Sequence, residues 1–179
     1  MRIPLISGLV FFFLLNIPCD AQLKNLIENG SFEYTGKDTV RDRPDESWSF
    51  TTDYETVTGH ATRSRAIDGF RSYLIRAETG HGYLKSDPFE VDRRERYLLS
   101  LGVCGDGSIG TEIIWWREEN DSLTILEHEY LEVASVSDDW GILQFNVTSP
   151  RRASAASVRF SVFDGQVWID DVRFRISVF

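Results

Sequence analysis

Cysteine, histidine and basic residues are all scarce in this chain, and each scarcity removes a class of function. Two cysteines occur, Cys19 and Cys104. Cys19 falls in a stretch that reads as a leader, so the mature chain keeps one thiol and forms no intrachain disulfide. Three histidines, His60, His81 and His128, do not supply a structural zinc site beside a single cysteine. Lys and Arg number 19 against 28 Asp and Glu, a formal charge of −9. Nucleic acid is therefore excluded as a partner, because phosphate neutralisation needs a basic surface. Long apolar runs are missing beyond the first residues, and no Gly-x-Ser-x-Gly turn of the hydrolase type occurs.

What stands at the start is an export signal. Arg2 supplies the positive region, Leu9 to Leu15 the apolar core, and Cys19-Asp20-Ala21 a small-residue exit. Asn16 and Pro18 end the run well short of the ~20 apolar residues of a membrane span, so no stable membrane insertion follows cleavage. A lipid anchor on Cys19 would want small residues before it, where Asn16-Ile17-Pro18 stand. The reading is a signal peptide over 1–21 and a single domain over 22–179, secreted or periplasmic and cell-surface.

The domain reads as all-β. Short alternating or apolar runs recur with Gly and Asp between them, and none keeps a helical period for three turns. Strands are predicted at Leu26–Ile27 with Ser31–Tyr34, Trp48–Thr51, Thr56–His60, Tyr73–Ala77, Gly82–Leu84 and Phe89–Val91. They continue at Tyr97–Cys104, Thr111–Arg117, Leu123–Val133, Gly141–Thr148, Ala156–Phe163 and Val167–Ile176. That density favours two packed antiparallel sheets. Val158, Phe160 and Val162 share one face of their strand, and Arg159, Ser161 and Phe163 the other. Asp164-Gly165 reads as the tight turn of a hairpin over Ala156–Ile176. Thr35–Glu46 is a long polar surface loop, and Cys104, in an apolar run, a buried small hydrophobe.

Two acid-bearing segments bracket the domain: Asn25 to Glu33 at its start and Val167 to Phe174 at its end. In a sandwich the first and last strands often lie side by side, which would bring Glu33 towards Asp170. A calcium ion would settle their repulsion, since it takes several oxygen ligands. Solvated edge carboxylates are the alternative.

Aromatics are plentiful, with 5 Trp, 6 Tyr and 12 Phe. Trp115 and Trp116 are neighbours on a strand, so they point to opposite faces. Trp116 is read as the outward one, a platform with Glu112 beside it as acceptor, although burial of both tryptophans stays open. Tyr83, in a glycine-flexible segment, presents a ring to ligand or closes the end of the sandwich. His128-Glu129-Tyr130 is the one cluster that would suit a lyase or hydrolase, and strand alternation turns Glu129 away from its neighbours. Three N-glycosylation patterns begin at Asn29, Asn120 and Asn146.

The run Asn25-Leu26-Ile27-Glu28-Asn29-Gly30-Ser31-Phe32-Glu33 resembles the opening of the carbohydrate-binding modules of families 4, 9 and 22. Trp48, Asp139-Trp140 before Leu143–Val147, and the closing Val167-Trp168-Ile169-Asp170-Asp171-Val172 follow in the same order as in those modules. The resemblance implies a jelly-roll β-sandwich with a structural calcium and, in many members, a polysaccharide site. Carried over by motif, Glu33 and Asp170 would hold the ion, with Asp68 as a weaker third or an ordinary turn aspartate. The expected function is noncatalytic polysaccharide or glycan binding through Trp116, Glu112 and Tyr83. Its rival is a structural or protein-contact sandwich without a sugar site, and a jelly-roll lyase or glycoside hydrolase is the enzyme alternative.

Overall fold

Alternation with period two runs through nearly every segment, and it produces strands throughout. The computed structural model describes residues 24–33 and 47–177. The leader and the Thr35–Glu46 loop lie outside the described residues. Ten strands follow in order among those described: β1 (Trp48–Thr52), β2 (Val57–Thr62), β3 (Ser72–Ala77), β4 (Gly82–Ser86), β5 (Phe89–Glu90), β6 (Arg96–Gly105), β7 (Ser108–Glu119), β8 (Ser122–Ser135), β9 (Gly141–Thr148) and β10 (Ala155–Ile176).

They form two antiparallel sheets of a jelly-roll sandwich. The first runs β1, β4, the front half of β10, β7, β8, with β5 beside the start of β10. The second runs β2, β3, the rear half of β10, β6, β9. Between them lie Phe32, Trp48, Tyr73, Leu99, Ile113, Trp115 and Phe160, all buried. Tyr97 stacks on Phe174 with centroids 4.9 Å apart, and Phe32 tilts against Trp48 at 5.2 Å.

The predicted hairpin at Asp164-Gly165 is corrected. Val162 pairs with Ile109 of the first sheet, while Val167 pairs with Ile75 and Gly105 of the second. One strand thus passes from sheet to sheet. Asp164 Oδ1 accepts the Ser108 N–H (2.8 Å) and Gly165 turns with φ 67°, so the turn chemistry serves a crossing between sheets. The core face moves with it, from Val158, Phe160 and Val162 to Val167 and Ile169. A bulge at Asp170-Asp171, with Asp171 at φ 49°, shifts it again to Val172 and Phe174.

The opening segment lies along the closing strand, as the bracket anticipates, but as turns instead of the expected strands. Leu26 N–H donates to Phe174 O (2.9 Å), and Val172 N–H to Gly30 O (2.8 Å). The Asn25 side chain completes the ladder, its amide donating to Val172 O (2.9 Å) and its carbonyl accepting from Phe174 N–H (2.8 Å). Asn29 and Phe32 take positive φ, 50° and 55°, which an extended strand does not permit. Gly30 is held to glycine by contact, since a Cβ there would stand 2.0 Å from Val172 O. Gly30→Ala is expected to cost about 2–3 kcal/mol by forcing the two segments apart, read as a lower denaturant midpoint. An unchanged midpoint would show that this seam does not hold the sandwich closed.

Candidate binding face

Because side chains alternate, β7 sends Ile109, Ile113 and Trp115 into the core and Gly110, Glu112, Ile114 and Trp116 to the outer face of the first sheet. Register then fixes their neighbours. Ser49, Lys85, Arg159, Glu112 and Tyr130 form one row across β1, β4, β10, β7 and β8. Thr51, Tyr83, Ser161 and Gly110 form the next.

Trp116 is the outward tryptophan. It is half-buried, its indole N–H donates to Ser157 Oγ (3.0 Å), and the Lys85 ammonium lies 5.8 Å from its ring centre. Trp115 is fully buried, with its N–H on Glu129 Oε2 (2.7 Å). Tyr83 is half-buried on the same face, with the Arg159 guanidinium 5.2 Å from its ring centre and His81 edge-on at 4.9 Å. Phe163 adds a ring that is 42% exposed, and it lies over Gly110, where a Cβ would come within 3.1 Å of it. Tyr130, 75% exposed, closes the far side.

Glu112 is corrected. It is 2% exposed instead of being a free acceptor. Arg159 Nε donates to its Oε2 (2.6 Å), Arg159 Nη2 pairs with the same oxygen, and His128 Nδ1 meets its Oε1 at 2.5 Å. A carboxylate shut in by these two side chains is stable only with such partners. Glu112 therefore fixes Arg159 and His128 in place. Of the His128-Glu129-Tyr130 cluster, His128 and Tyr130 lie on this face while Glu129 serves Trp115, as alternation requires. Sequence reasoning placed Arg159 and Phe163 on one strand face, but without register it did not set them beside Tyr83 and Trp116. Lys85 had no signal of its own.

The acidic bracket lies elsewhere, at one loop of the second sheet. Asp170 Oδ2 accepts the N–H groups of Ile67 (2.8 Å) and Asp68 (3.1 Å), and its Oδ1 that of Asp171 (2.7 Å). Glu33 Oε1 accepts those of Phe70 (2.6 Å) and Arg71 (2.7 Å). The two carboxylates hold opposite ends of the 67–71 loop. Asp170 is fully buried with no cationic partner among the described residues, and burial pushes its carboxyl up to about 6. Asp68 does not join them. It is 60% exposed, 3.7 Å from Arg173 Nη2. Among the described residues no three acidic, histidine or cysteine side chains converge as a metal set. The donors present, two carboxylates held on one loop, fit a hard cation in kind, and Glu33 and Asp170 are the residues that would hold it.

Cys104 is buried, and burial pushes its thiol up, so it is not a reactive group. Trp48 is in the core with its N–H on Asn29 O (3.2 Å). Trp168 lies on the outer face of the second sheet, capped by the Arg65 guanidinium 4.6 Å from its ring centre.

Strand order and the sheet-crossing β10 define a jelly-roll β-sandwich. No protein-family model and no curated protein matches the sequence. Solved structures do. The xylan-binding domain CBM22-1 of Paenibacillus barcinonensis Xyn10C is 16% identical over 82% of this chain and 91% of its own, with a TM-score of 0.56. A family 4 module is 17% identical over 84% and 99%, at 0.54. The enzymatically active domain of tailspike protein 4 from bacteriophage CBA120 is 13% identical over 86% of this chain, at 0.65, but this chain spans only 21% of its length. These likenesses establish the fold, and the expected resemblance to modules of the family 4 and 22 type is met at that level.

Proposed function

We propose that the protein is an exported, noncatalytic polysaccharide-binding domain that takes its ligand on the outer face of the first sheet. The observation that carries this reading is the set of partly exposed rings, Trp116, Tyr83 and Phe163, on the outer face of one sheet with Arg159 and Ser161 among them. Sugar C–H groups pack on aromatic faces while planar polar groups bond the hydroxyls, so rings and hydrogen-bonding side chains must share one surface. The fold supports the same reading, since one similar structure is a xylan-binding domain.

Glycoside hydrolysis needs two carboxyl groups flanking the bond, one of them free to give a proton. Glu112 does not qualify. Both of its oxygens are engaged by Arg159 and His128. In this reading Glu33 and Asp170 hold a structural calcium that ties the 67–71 loop to the opening and closing segments, away from the ligand.

Retention on insoluble polysaccharides, comparing wild type with Trp116→Ala, tests the proposal. Wild type is retained on at least one glycan, and the variant is retained at least about tenfold less. Equal retention would remove Trp116 as a platform. Retention of wild type on no glycan would favour a structural sandwich, and new reducing or unsaturated ends in the supernatant would favour an enzyme.

A further inference from the structure

Two cations face each other across this sheet. Lys85 of β4 and Arg159 of β10 are direct cross-strand partners on the outer face, a placement that costs stability when both are charged. Only one is answered. Glu112 pairs with Arg159, whereas no acidic side chain among the described residues pairs with Lys85. Its ammonium instead lies over the Trp116 ring at 5.8 Å, and Arg159 lies over Tyr83 at 5.2 Å. His128 also bonds Glu112, so the buried carboxylate is shared between two basic groups and has nothing left for Lys85. All of this occurs on a chain of formal charge −9, with acids to spare elsewhere.

We infer that the face recognises an acidic glycan, its rings stacking a sugar of the chain while Lys85, supported by Arg159, receives a uronate carboxylate. The inference rests on the binding face proposed above and names the class of ligand it takes. Each cation lies over a ring, Lys85 over Trp116 and Arg159 over Tyr83, so a pyranose stacked on the part of either ring left open brings an equatorial carboxylate beside a cation. A carboxylate there relieves the repulsion between Lys85 and Arg159 and forms a charge-assisted hydrogen bond. A neutral sugar stacks equally well but leaves the repulsion in place. Selectivity thus comes from the charges and affinity from the rings.

The experiment is a binding titration of the full secreted chain against polygalacturonate, glucuronoxylan and alginate, each beside its own carboxyl-reduced form. At least one acidic polymer is bound roughly tenfold more tightly than its reduced form, the size of one hydrogen bond to a charged group. The difference shrinks as salt is added. Lys85→Met abolishes the difference, read as the ratio of the variant's own two affinities, and Lys85→Arg restores it. Equal binding within every pair, or Lys85→Met weakening both members alike, would overturn the inference while leaving polysaccharide binding standing. Binding of neutral glycans alone would do the same. Binding of no glycan, acidic or neutral, would remove the binding face itself and the inference with it.

Discussion

Trp115→Ala is expected to lower the stability of the protein by about 3–5 kcal/mol, while the same change one residue on leaves stability within about 1 kcal/mol and removes ligand binding. The contrast follows from strand alternation. Trp115 is fully exposed to the core, 0% to solvent, edge-on to Phe174 at 6.4 Å, with its N–H bonded to Glu129. Truncation leaves a cavity that the surrounding strands of both sheets do not close, and it strips Glu129 of its donor. Trp116 rests on the outside of the same strand, bonded to Ser157 and touched by Lys85. Its loss opens a surface that water fills at little cost. Urea unfolding of both variants beside a retention assay gives the two readouts. Comparable destabilisation by the two would mean that Trp116 is a packing residue.

The second large effect is a pH dependence set by Asp170. Its carboxyl is pushed up to about 6 from an ordinary 3.8, with burial as the largest cause and the three backbone N–H groups opposing it. A raised acid is protonated in the folded protein while already ionised in the unfolded chain. Stability from this group is therefore fully present below about pH 4 and is lost as pH rises through about 6, a loss on the order of 3 kcal/mol by neutral pH. Other carboxylates titrate too, so the readout is the difference between wild type and Asp170→Asn. In chelator, wild type loses stability relative to the variant between pH 4 and pH 7. Calcium added at pH 7 is expected to recover it for wild type alone, because the proposed site needs both native carboxylates. A pH-independent difference would mean that Asp170 is not raised. An unchanged melting midpoint on adding calcium would remove the proposed ion.

The strands were legible because alternation reports burial directly, and the burial of Cys104 was legible from the apolar run around it. β6 lies between β10 and β9, with Ile67 packed over Gly102. The convergence of Glu33 and Asp170 on one region was legible from the bracket. What was hidden depends on contacts between distant residues. Asp164-Gly165 carries the same local signal whether a strand turns back or crosses to the other sheet, and only the partners of Val162 and Val167 decide it. Asn25 substitutes its side chain for a strand ladder, so the opening run looked extended when it is turned. Glu112 looked exposed because glutamate usually is, and its burial depends on Arg159, which stands opposite it on β10.

The binding face itself is tested most directly by its tryptophan signals. The five indole N–H groups can be followed in one amide-type NMR spectrum during titration with an oligosaccharide of the retained glycan. Trp116, bonded to Ser157, is expected to shift, together with the side chains of Arg159 and Tyr83. Trp48, bonded to Asn29 in the core, and Trp168, capped by Arg65 on the opposite sheet, are expected to stay still. Shifts at Trp168 or Trp48 with Trp116 unmoved would contradict the account.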